Sequence, residues 1–512
     1  MEQKLEKYAR LVVRKGVNIE KNQILVINAP IECADFARKI AKEAYLAGAR
    51  DVVVSWNDEV LGRIRFMHAP EEIFDEFPDW RKEMYIGYAR QGAAFISIAA
   101  SDPEILKGVN PDRIARMQKA SGNALKEYRE RMMNNKNTWC VVSIPTVNWA
   151  KKMFPNLSEM EAMAKLWEAI LETVRVGDGD PIESWENHLN ILKKNKALMN
   201  QYNFKSLHYK NSLGTDLTIE LPKGHIWFSG SEFTPEGREF VANMPTEEVY
   251  TMPKKHGVNG TVVSSKPLNY HGNLIEEFKL TFKDGKVIEY SAKKGQEILE
   301  KLLTADDSSA YLGEVALVPH DSPISNLNIL FYNTLFDENA SCHLAFGKAY
   351  PVCIAGGDKM NESELEDADV NDSIIHEDFM VGTKDLEIIG ITEDGKEEGV
   401  FYDGANLSGR VVDFTDTGFT ITPRTLIVYE DGSSEGGIAA PGYESEETNI
   451  HITYAEDVVF QVIYFSMGSQ TEISREDADK NSIKKETDVN IFGTCQDEKH
   501  WIADKVVITR WQ

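Results

Sequence analysis

Two histidines in the 512-residue sequence stand among residues that favour metal chemistry. One of them, His376, belongs to the tripeptide His376-Glu377-Asp378, which apolar residues precede and follow in a pattern typical of a buried strand. Alternate residues of a strand share a face, so the imidazole of His376 and the carboxylate of Asp378 would point the same way. That pair is half of a site for a divalent cation. A chance His-x-Asp on the surface is the alternative.

The second histidine, His343, lies in segment 338–347, where Ala, Leu and Phe predict a buried helical turn over about residues 340–346. Tyr350 follows seven residues later and would share a face with His343 if the helix continued past Gly347. The alternative for His343 is a core histidine whose hydrogen bonds are satisfied by its neighbours.

Carboxylates in two further segments are candidates to join these histidines. Glu314 stands alone in the apolar run 311–318, and a carboxylate buried there needs a partner. Glu247 and Glu248 precede a strand-like segment, and because neighbouring strand residues face opposite sides, only one of the pair would reach a shared site. A structural salt bridge for Glu314 and an exposed loop for the pair are the alternatives.

Together these segments offer two histidines and three carboxylates, which is enough for two divalent ions about 3.5–4 Å apart if one carboxylate is shared. Paired ions of this kind polarise a substrate carbonyl, deprotonate a water molecule near neutral pH and stabilise a tetrahedral oxyanion. The residues therefore favour hydrolysis, provided that the fold brings them together.

The elements that must position these residues begin with an α/β segment. Short apolar runs predict strands at 24–27, 52–54, 93–99 and 139–144. Helical patterns between and after these runs predict helices at 34–46, 113–133, 159–174 and 182–202. Alternation of this kind predicts a mainly parallel sheet covered by helices. We therefore expect an α/β N-terminal domain over residues 1–204.

From about residue 205 the pattern changes. Segments 278–282 and 286–290 alternate on either side of Lys283-Asp284-Gly285, which predicts a hairpin. Because every candidate ligand lies in this part, we predict an α+β metal-bearing catalytic domain over residues 205–409. Residues 410–512 contain short strand patterns between turns, with 19 acidic and 9 basic residues, and predict an extra acidic all-β C-terminal domain.

Charge and motif content exclude several functions. With 56 basic and 82 acidic residues the net charge is −26, which opposes binding to nucleic acid and to anionic membranes. The sequence has no P-loop, no Gly-x-Gly-x-x-Gly that opens a helix after a strand, and no Cys-x-x-Cys. Five scattered cysteines, a charged N-terminus and the lack of a membrane-length apolar run predict a soluble cytoplasmic protein.

At the candidate ligands the sequence resembles the thermophilic aminopeptidase family of dinuclear metallopeptidases, the group of aminopeptidase T, aminopeptidase S and PepS. The segments that carry the resemblance occur in the family's order and at similar spacing: 243–250, 313–319, 339–347 with 349–351, and 371–380. The resemblance extends more loosely over residues 1–408.

The resemblance implies two divalent metal ions per chain, zinc, cobalt or manganese, bound by Glu248, Glu314, His343, His376 and Asp378. It implies that Tyr350 is an active-site residue able to donate a hydrogen bond to the oxyanion. The activity implied is that of a metal-dependent aminopeptidase, which removes N-terminal residues from short peptides with a free N-terminus. The resemblance also implies a homodimer whose active sites face an internal cavity.

Residues 410–512 depart from the family pattern, because family chains usually end near the segment 404–406. Because of this extension, the resemblance does not decide whether the chain forms the family's dimer or how substrates would enter its cavity. Two other functions also remain open: a dinuclear metal hydrolase of another small amide, and a scaffold or interaction protein that acts through its C-terminal β domain.

Overall fold

A computed structural model describes residues 1–270, 273–319, 322–395, 397–402, 405–423, 425–428, 434–437, 448–465, 472–497 and 499–511. Among these residues, no helix combines the length with the hydropathy that crossing a membrane requires. Buried apolar side chains gather mainly in three clusters, which are centred in turn on the N-terminal sheet, the middle of the chain and the C-terminal strands.

The N-terminal segment is built on a parallel sheet, as the sequence predicts. Its strands are β1 (Ile24–Pro30), β2 (Asp51–Asn57), β3 (Ala94–Ile98) and β4 (Trp139–Val142). They run in the order β2-β1-β3-β4, and every pairing is parallel. The helices of this segment are α1 (Glu2–Leu11), α2 (Ala34–Ala47), α3 (Glu59–His68), α4 (Asp79–Arg90), α5 (Pro111–Ala124), α6 (Lys126–Met133), α7 (Val147–Met153), α8 (Glu159–Thr173) and α9 (Pro181–Tyr202).

Local sequence explains where these helices begin and end. Helix α2 ends at Gly48, whose φ of +102° is a left-handed conformation that glycine adopts without strain. Helix α8 begins with a capping box, in which the side chains of Ser158 and Glu161 each accept a hydrogen bond from the other residue's backbone N–H. These end signals fix the lengths of the helices that cover the sheet.

Residues 205–402 form mainly two antiparallel sheets. The strands are β5 (Ser206–Lys210), β6 (Asp216–Glu220), β7 (Phe228–Ser229), β8 (Glu232–Phe233), β9 (Glu239–Phe240), β10 (Val249–Thr251), β11 (Val258–Val263), β12 (Leu268–Tyr270), β13 (Asn273–Lys283), β14 (Lys286–Lys294), β15 (Leu312–Leu317), β16 (His343–Gly347), β17 (His376–Met380), β18 (Glu387–Ile391) and β19 (Glu397–Tyr402). The helices are α10 (Gln296–Leu303), α11 (Pro323–Leu327), α12 (Thr334–Asp337) and α13 (Glu362–Asp367). The larger sheet has the order β12-β13-β11-β6-β5-β18-β19 with β14 paired to β13, and the smaller sheet has the order β17-β16-β15-β10-β7.

One local prediction in this part is confirmed and one is wrong. Strands β13 and β14 form the predicted hairpin, with φ angles of +48° at Asp284 and +81° at Gly285 in its tight turn. The helix expected over about 340–346 is absent: a 3-10 turn at Glu338–Ala340 leads into strand β16, which begins at His343. Because β16 is buried along its whole length between β15 and β17, its apolar run lacks the alternation that marks a half-exposed strand.

The C-terminal strands close into a barrel. They are β20 (Ala405–Thr415), β21 (Gly418–Pro423), β22 (Thr425–Val428), β23 (Ser434–Gly437), β24 (Ile450–Phe465), β25 (Glu472–Ala478), β26 (Asp488–Asp497) and β27 (His500–Trp511). Strand β20 pairs with β21, β21 with β24, β24 with β27, β27 with β26, and β26 again with β20. The pairing of β24 with β27 is parallel and the others in the ring are antiparallel, which is the topology of an OB-fold barrel.

The barrel has its own apolar interior. Side chains from most strands of the ring, including Val411, Ile421, Ile452, Val489 and Ile508, are almost fully buried within one cluster. Strands β22 and β23 form a separate hairpin between β21 and β24, and the backbone of this hairpin lies beside helix α9.

Candidate metal centre

The smaller antiparallel sheet places four of the five predicted ligands on one face. Ala345 of β16 pairs with Glu314 of β15 on one side and with Asp378 of β17 on the other. His343 lies two residues before Ala345, and His376 lies two residues before Asp378. Residues paired across an antiparallel sheet, and residues two apart along a strand, share a face. The four side chains therefore emerge on the same side.

Small residues keep this face open. Ala345 is fully buried at the centre of the row, between the two carboxylates. Gly347 has a φ of +90°, and a Cβ at this position would lie 2.2 Å from the carbonyl oxygen of Ile375. A side chain larger than these would displace strand β17 or fill the space that the candidate ligands share.

The fifth predicted ligand, Glu248, completes the cluster from the residue before β10. Its Oε2 lies 3.2 Å from Nε2 of His343. Glu314 contacts both histidines, with Oε1 3.6 Å from Nε2 of His343 and Oε2 3.4 Å from Nε2 of His376. Oδ1 of Asp378 lies 3.7 Å from Nε2 of His376 and 4.0 Å from Nε2 of His343. The structure thus brings together all five side chains that the resemblance implies as metal ligands.

These side chains form two overlapping groups that could each hold a metal ion. Glu248, Glu314 and His343 form one group, and Glu314, His376 and Asp378 form the other; within each, the ligand atoms lie within 4.8 Å of one another. Glu314 belongs to both groups. Mixed carboxylate and imidazole donors suit divalent ions such as zinc, cobalt and manganese.

Hydrogen bonding leaves the inward-facing atoms of this cluster available. Nδ1 of His343 lies 3.2 Å from the carbonyl oxygen of Ser341, and Nδ1 of His376 lies 2.7 Å from that of Lys348. Both rings therefore present Nε2 to the cluster, in the orientation that a backbone carbonyl imposes on metal-binding histidines. Nε2 of His343 and Oδ1 of Asp378 are buried and have no hydrogen-bond partner among the described residues. The donor set fits a bound cation.

The electrostatics of the cluster are those of a preformed cation site. Burial opposes ionisation of Glu314, but the imidazoles of His343 and His376 outweigh it and hold the pKa of this carboxyl at about 2. Burial likewise opposes protonation of His376, but Asp378 and Glu314 raise its pKa to about 10. The carboxylates thus favour protonation of both imidazoles, and a metal ion that binds their Nε2 atoms would displace those protons.

The two glutamates before β10 diverge. Glu248 enters the cluster, whereas Glu247 is 4% exposed and binds the guanidinium of Arg175 through both carboxylate oxygens, at 2.7 Å from Nη1 and 2.9 Å from Nη2. The backbone N–H of Glu247 donates a hydrogen bond of 2.7 Å to Oδ1 of Asn339. The backbone that presents Glu248 is therefore held both by the N-terminal segment and by the loop before β16.

A cavity of about 90 Å³ opens onto the cluster, and Tyr350 lines it. The Tyr350 ring packs edge-on against that of His376, with 5.1 Å between the ring centroids. The cavity lining includes further polar residues that are not predicted from the sequence as site residues: Asn135, Glu232, Tyr250 and Glu338. Of these, Glu338 could have been predicted from the sequence, because it lies five positions before His343 and belongs to the same buried segment.

Known proteins share this arrangement of sequence and fold. The sequence pattern of the thermophilic metalloprotease family (M29) matches residues 1–405. The chain belongs to this family. Aminopeptidase 2 of Geobacillus stearothermophilus is similar to this metalloprotease, with 50% identity over 403 residues that cover 79% of this chain and 97% of that protein. Aminopeptidase PepS of Streptococcus thermophilus is 41% identical over 78% of this chain and 97% of its own length.

A solved structure supports the same family membership. Wild-type AmpT from Thermus thermophilus is 39% identical, covers 78% of this M29 metalloprotease and 98% of its own chain, and superposes with a TM-score of 0.73. The resemblance inferred from the four sequence segments is therefore confirmed. The family match ends at residue 405, where strand β20 begins, so the barrel lies outside it.

Proposed function

We propose that the chain is a metal-dependent aminopeptidase that removes N-terminal residues from short peptides. The observation that carries this proposal is the cluster of five ligand-type side chains, which form two groups with Glu314 in common and four of which lie on one face of a buried sheet. The names of its relatives, aminopeptidase 2, aminopeptidase PepS and aminopeptidase T, support the type of reaction.

Two divalent ions would be held by these residues. Glu248, Glu314 and His343 would bind one ion, and Glu314, His376 and Asp378 the other, with Glu314 as the shared carboxylate. Zinc, cobalt and manganese all suit this donor set. When bound, such ions supply a Lewis acid for the scissile carbonyl and lower the pKa of a water molecule toward neutrality.

The chain's own residues position the substrate and stabilise charge. Tyr350 lines the cavity beside His376, where its hydroxyl would donate a hydrogen bond to the carbonyl oxygen as negative charge develops there. Glu338 is 9% exposed in the same cavity, where burial and the neighbouring carboxylates of Asp378 and Glu248 raise its pKa well above the usual value. The carboxylates of the metal cluster favour a free α-amine over a blocked N-terminus.

The proposal includes a three-part organisation and a homodimer. The parts are the α/β segment 1–204, the catalytic segment that follows it, and the acidic β segment; the boundary between the last two, predicted from the sequence at 409/410, is better placed before Ala405, because strand β20 of the barrel begins there. The dimer is supported by an apolar surface on the N-terminal segment, which comprises Trp56 and one face of helix α3, each residue being 43–62% exposed: Val60, Leu61, Ile64 and Met67. An exposed apolar patch of this kind is typical of a surface that a second chain covers.

The proposal is tested by release of leucine from a Leu dipeptide and from its N-acetylated counterpart. Both are assayed after chelator treatment and after adding back Zn²⁺, Co²⁺ or Mn²⁺. Metal-dependent cleavage of the free-amine substrate alone is expected. Cleavage of the acetylated substrate at a comparable rate would instead indicate a hydrolase of other amides, and no cleavage with any metal would contradict the proposal.

A further inference from the structure

Glu232 is a buried acid in the wall of the catalytic cavity that has no place among the candidate metal ligands. It begins strand β8 and is 7% exposed. Its Oε1 accepts a hydrogen bond from the hydroxyl of Tyr250, and its Oε2 accepts one of 2.8 Å from Nδ2 of Asn135. Both donors are neutral, and they hold the carboxylate in a fixed orientation at the junction of the N-terminal and catalytic segments.

The negative charge of Glu232 lacks a close counter-ion. No lysine, arginine or histidine nitrogen in the described part of the chain lies within ion-pair distance of it, although Lys196 acts on it through its field. Burial raises the pKa of Glu232, whereas the two hydrogen bonds and the positive charge of Lys196 lower it in part. A carboxylate removed from water in this way is stabilised when a cation reaches it.

The remaining lining of the cavity suits a long side chain that carries that cation. Met133 and Trp139 from the N-terminal segment and Val352 from the catalytic segment line the same cavity as Glu232 and the metal cluster. Apolar surface in the same cavity as a buried carboxylate complements the methylene stem and charged end of lysine or arginine.

We propose that Glu232 binds the ammonium or guanidinium group of a basic N-terminal residue of the substrate, so that the enzyme favours peptides that begin with Lys or Arg. This inference rests on the proposed aminopeptidase function. The α-amine is not the group in question, because the proposed function places it beside the carboxylates of the metal cluster, and Glu232 is not one of these ligands.

The test compares kcat/KM for Lys-Leu with that for norleucyl-Leu, whose first side chain has a similar methylene stem without the charge. We expect the wild-type enzyme to favour Lys-Leu by roughly 10–100-fold, the effect of one charged hydrogen bond. Glu232→Gln, which keeps the shape of the side chain, should bring that ratio close to one. Glu239→Gln is the matched control, since Glu239 lies in the paired strand β9 and binds Lys193 outside the cavity.

A second measurement does not depend on any variant. Free lysine should inhibit the wild-type enzyme at least about 10-fold more strongly than norleucine does, for the same reason. Equal inhibition, or a Lys-to-norleucine ratio that Glu232→Gln leaves unchanged, would overturn the inference. Cleavage of norleucyl-Leu in that case would leave the aminopeptidase function intact, whereas failure to cleave either peptide would count against both.

Discussion

Glu314 is the residue on which both halves of the proposed metal centre depend. Its two oxygens face different histidines, and it is the member common to both ligand groups. His343 belongs to one group alone. Loss of these two side chains should therefore have different consequences for the number of metals bound.

Glu314→Gln is expected to weaken binding at both positions, and His343→Ala at one. Removing a residue that only orients a ligand lowers metal affinity by roughly 10–100-fold. Removing a ligand itself should lower metal affinity by more than this. Metal content per chain after equilibrium dialysis, measured by elemental analysis, checks this. Glu289→Gln, an exposed glutamate on β14, is the control and should bind as the wild type does. Two metals retained in Glu314→Gln would remove that residue from the centre.

Tyr350→Phe removes a hydroxyl and leaves the ring that packs against His376. If the hydroxyl donates to the developing oxyanion, kcat should fall by roughly 10²–10³ while metal content is unchanged. Steady-state kinetics on a Leu dipeptide measure the effect. Tyr311→Phe changes a tyrosine outside the cavity and should have little effect. A kcat like that of the wild type in Tyr350→Phe would exclude the role.

At this scale the sequence predicts the position of most of the candidate site. Strand alternation places His376 and Asp378 on one face, and a lone carboxylate in an apolar run marks Glu314 as a buried acid. Glu232 and Asn135 cannot be found in this way, because neither stands in an unusual local pattern. Their roles arise from a cavity wall that two distant segments build together.

Strand β16 is the element for which the prediction from local sequence differs most from the structure. The residues around His343 include Ala, Leu and Phe, which fit a buried helix as well as a buried strand. What decides for a strand is the partner on each side, since β16 pairs with both β15 and β17. Such non-local pairing overrides local preference and has no signature within the segment itself.

The Arg175–Glu247 ion pair connects the N-terminal segment to the residue that precedes Glu248. It joins the turn after α8 to the residue next to Glu248, and both side chains are largely buried. Arg175→Met would remove the permanent positive charge beside Glu247 and leave only His188, whose Nε2 lies 3.6 Å from Oε2 of Glu247. Removing one partner of a buried ion pair typically costs about 3–5 kcal/mol of unfolding free energy. The substitution should also weaken metal binding about 10–100-fold, because Glu248 is then less well oriented.

Chemical denaturation and metal titration of the same variant measure these two effects. Arg116→Met is the control, because Arg116 pairs with Glu71 and Asp75 on the surface and should change both quantities little. Adding Glu247→Gln to Arg175→Met should restore part of the stability, since the buried charge is then removed. Unchanged metal affinity in Arg175→Met would show that the pair serves stability alone.

The whole molecule joins a family enzyme to a closed barrel. The apolar cluster of the barrel draws only on residues from Leu407 onward, separate from the clusters of the preceding segments. The relatives end near the start of this segment, since they are covered over 95–98% of their length by the preceding part of the chain. Strand β20 begins at Ala405, so a truncation is best placed before that residue.

A chain of residues 1–404 is expected to fold, bind metal and cleave a Leu dipeptide with kcat/KM within about threefold of the full chain, because helix α9, which the β22–β23 hairpin contacts, does not line the cavity. Circular dichroism and the peptidase assay check both points. A loss of activity with metal content intact would mean that the barrel contributes to the active site. A gain would mean that it restricts entry, and the β22–β23 hairpin beside α9 would be the first segment to remove.

The arrangement of ligands across one sheet has a consequence for the order of maturation. Glu248, Glu314, His343 and His376 come from four strand segments that are far apart in the chain, and they meet only after those segments have paired. Contacts of such long range form late, because each loop must first be closed at a cost in chain entropy. We therefore expect that a cation does not nucleate this fold. On the proposed function, the polypeptide would complete its tertiary structure before it binds metal, so a newly made molecule would pass through a folded but inactive stage whose duration depends on the supply of metal.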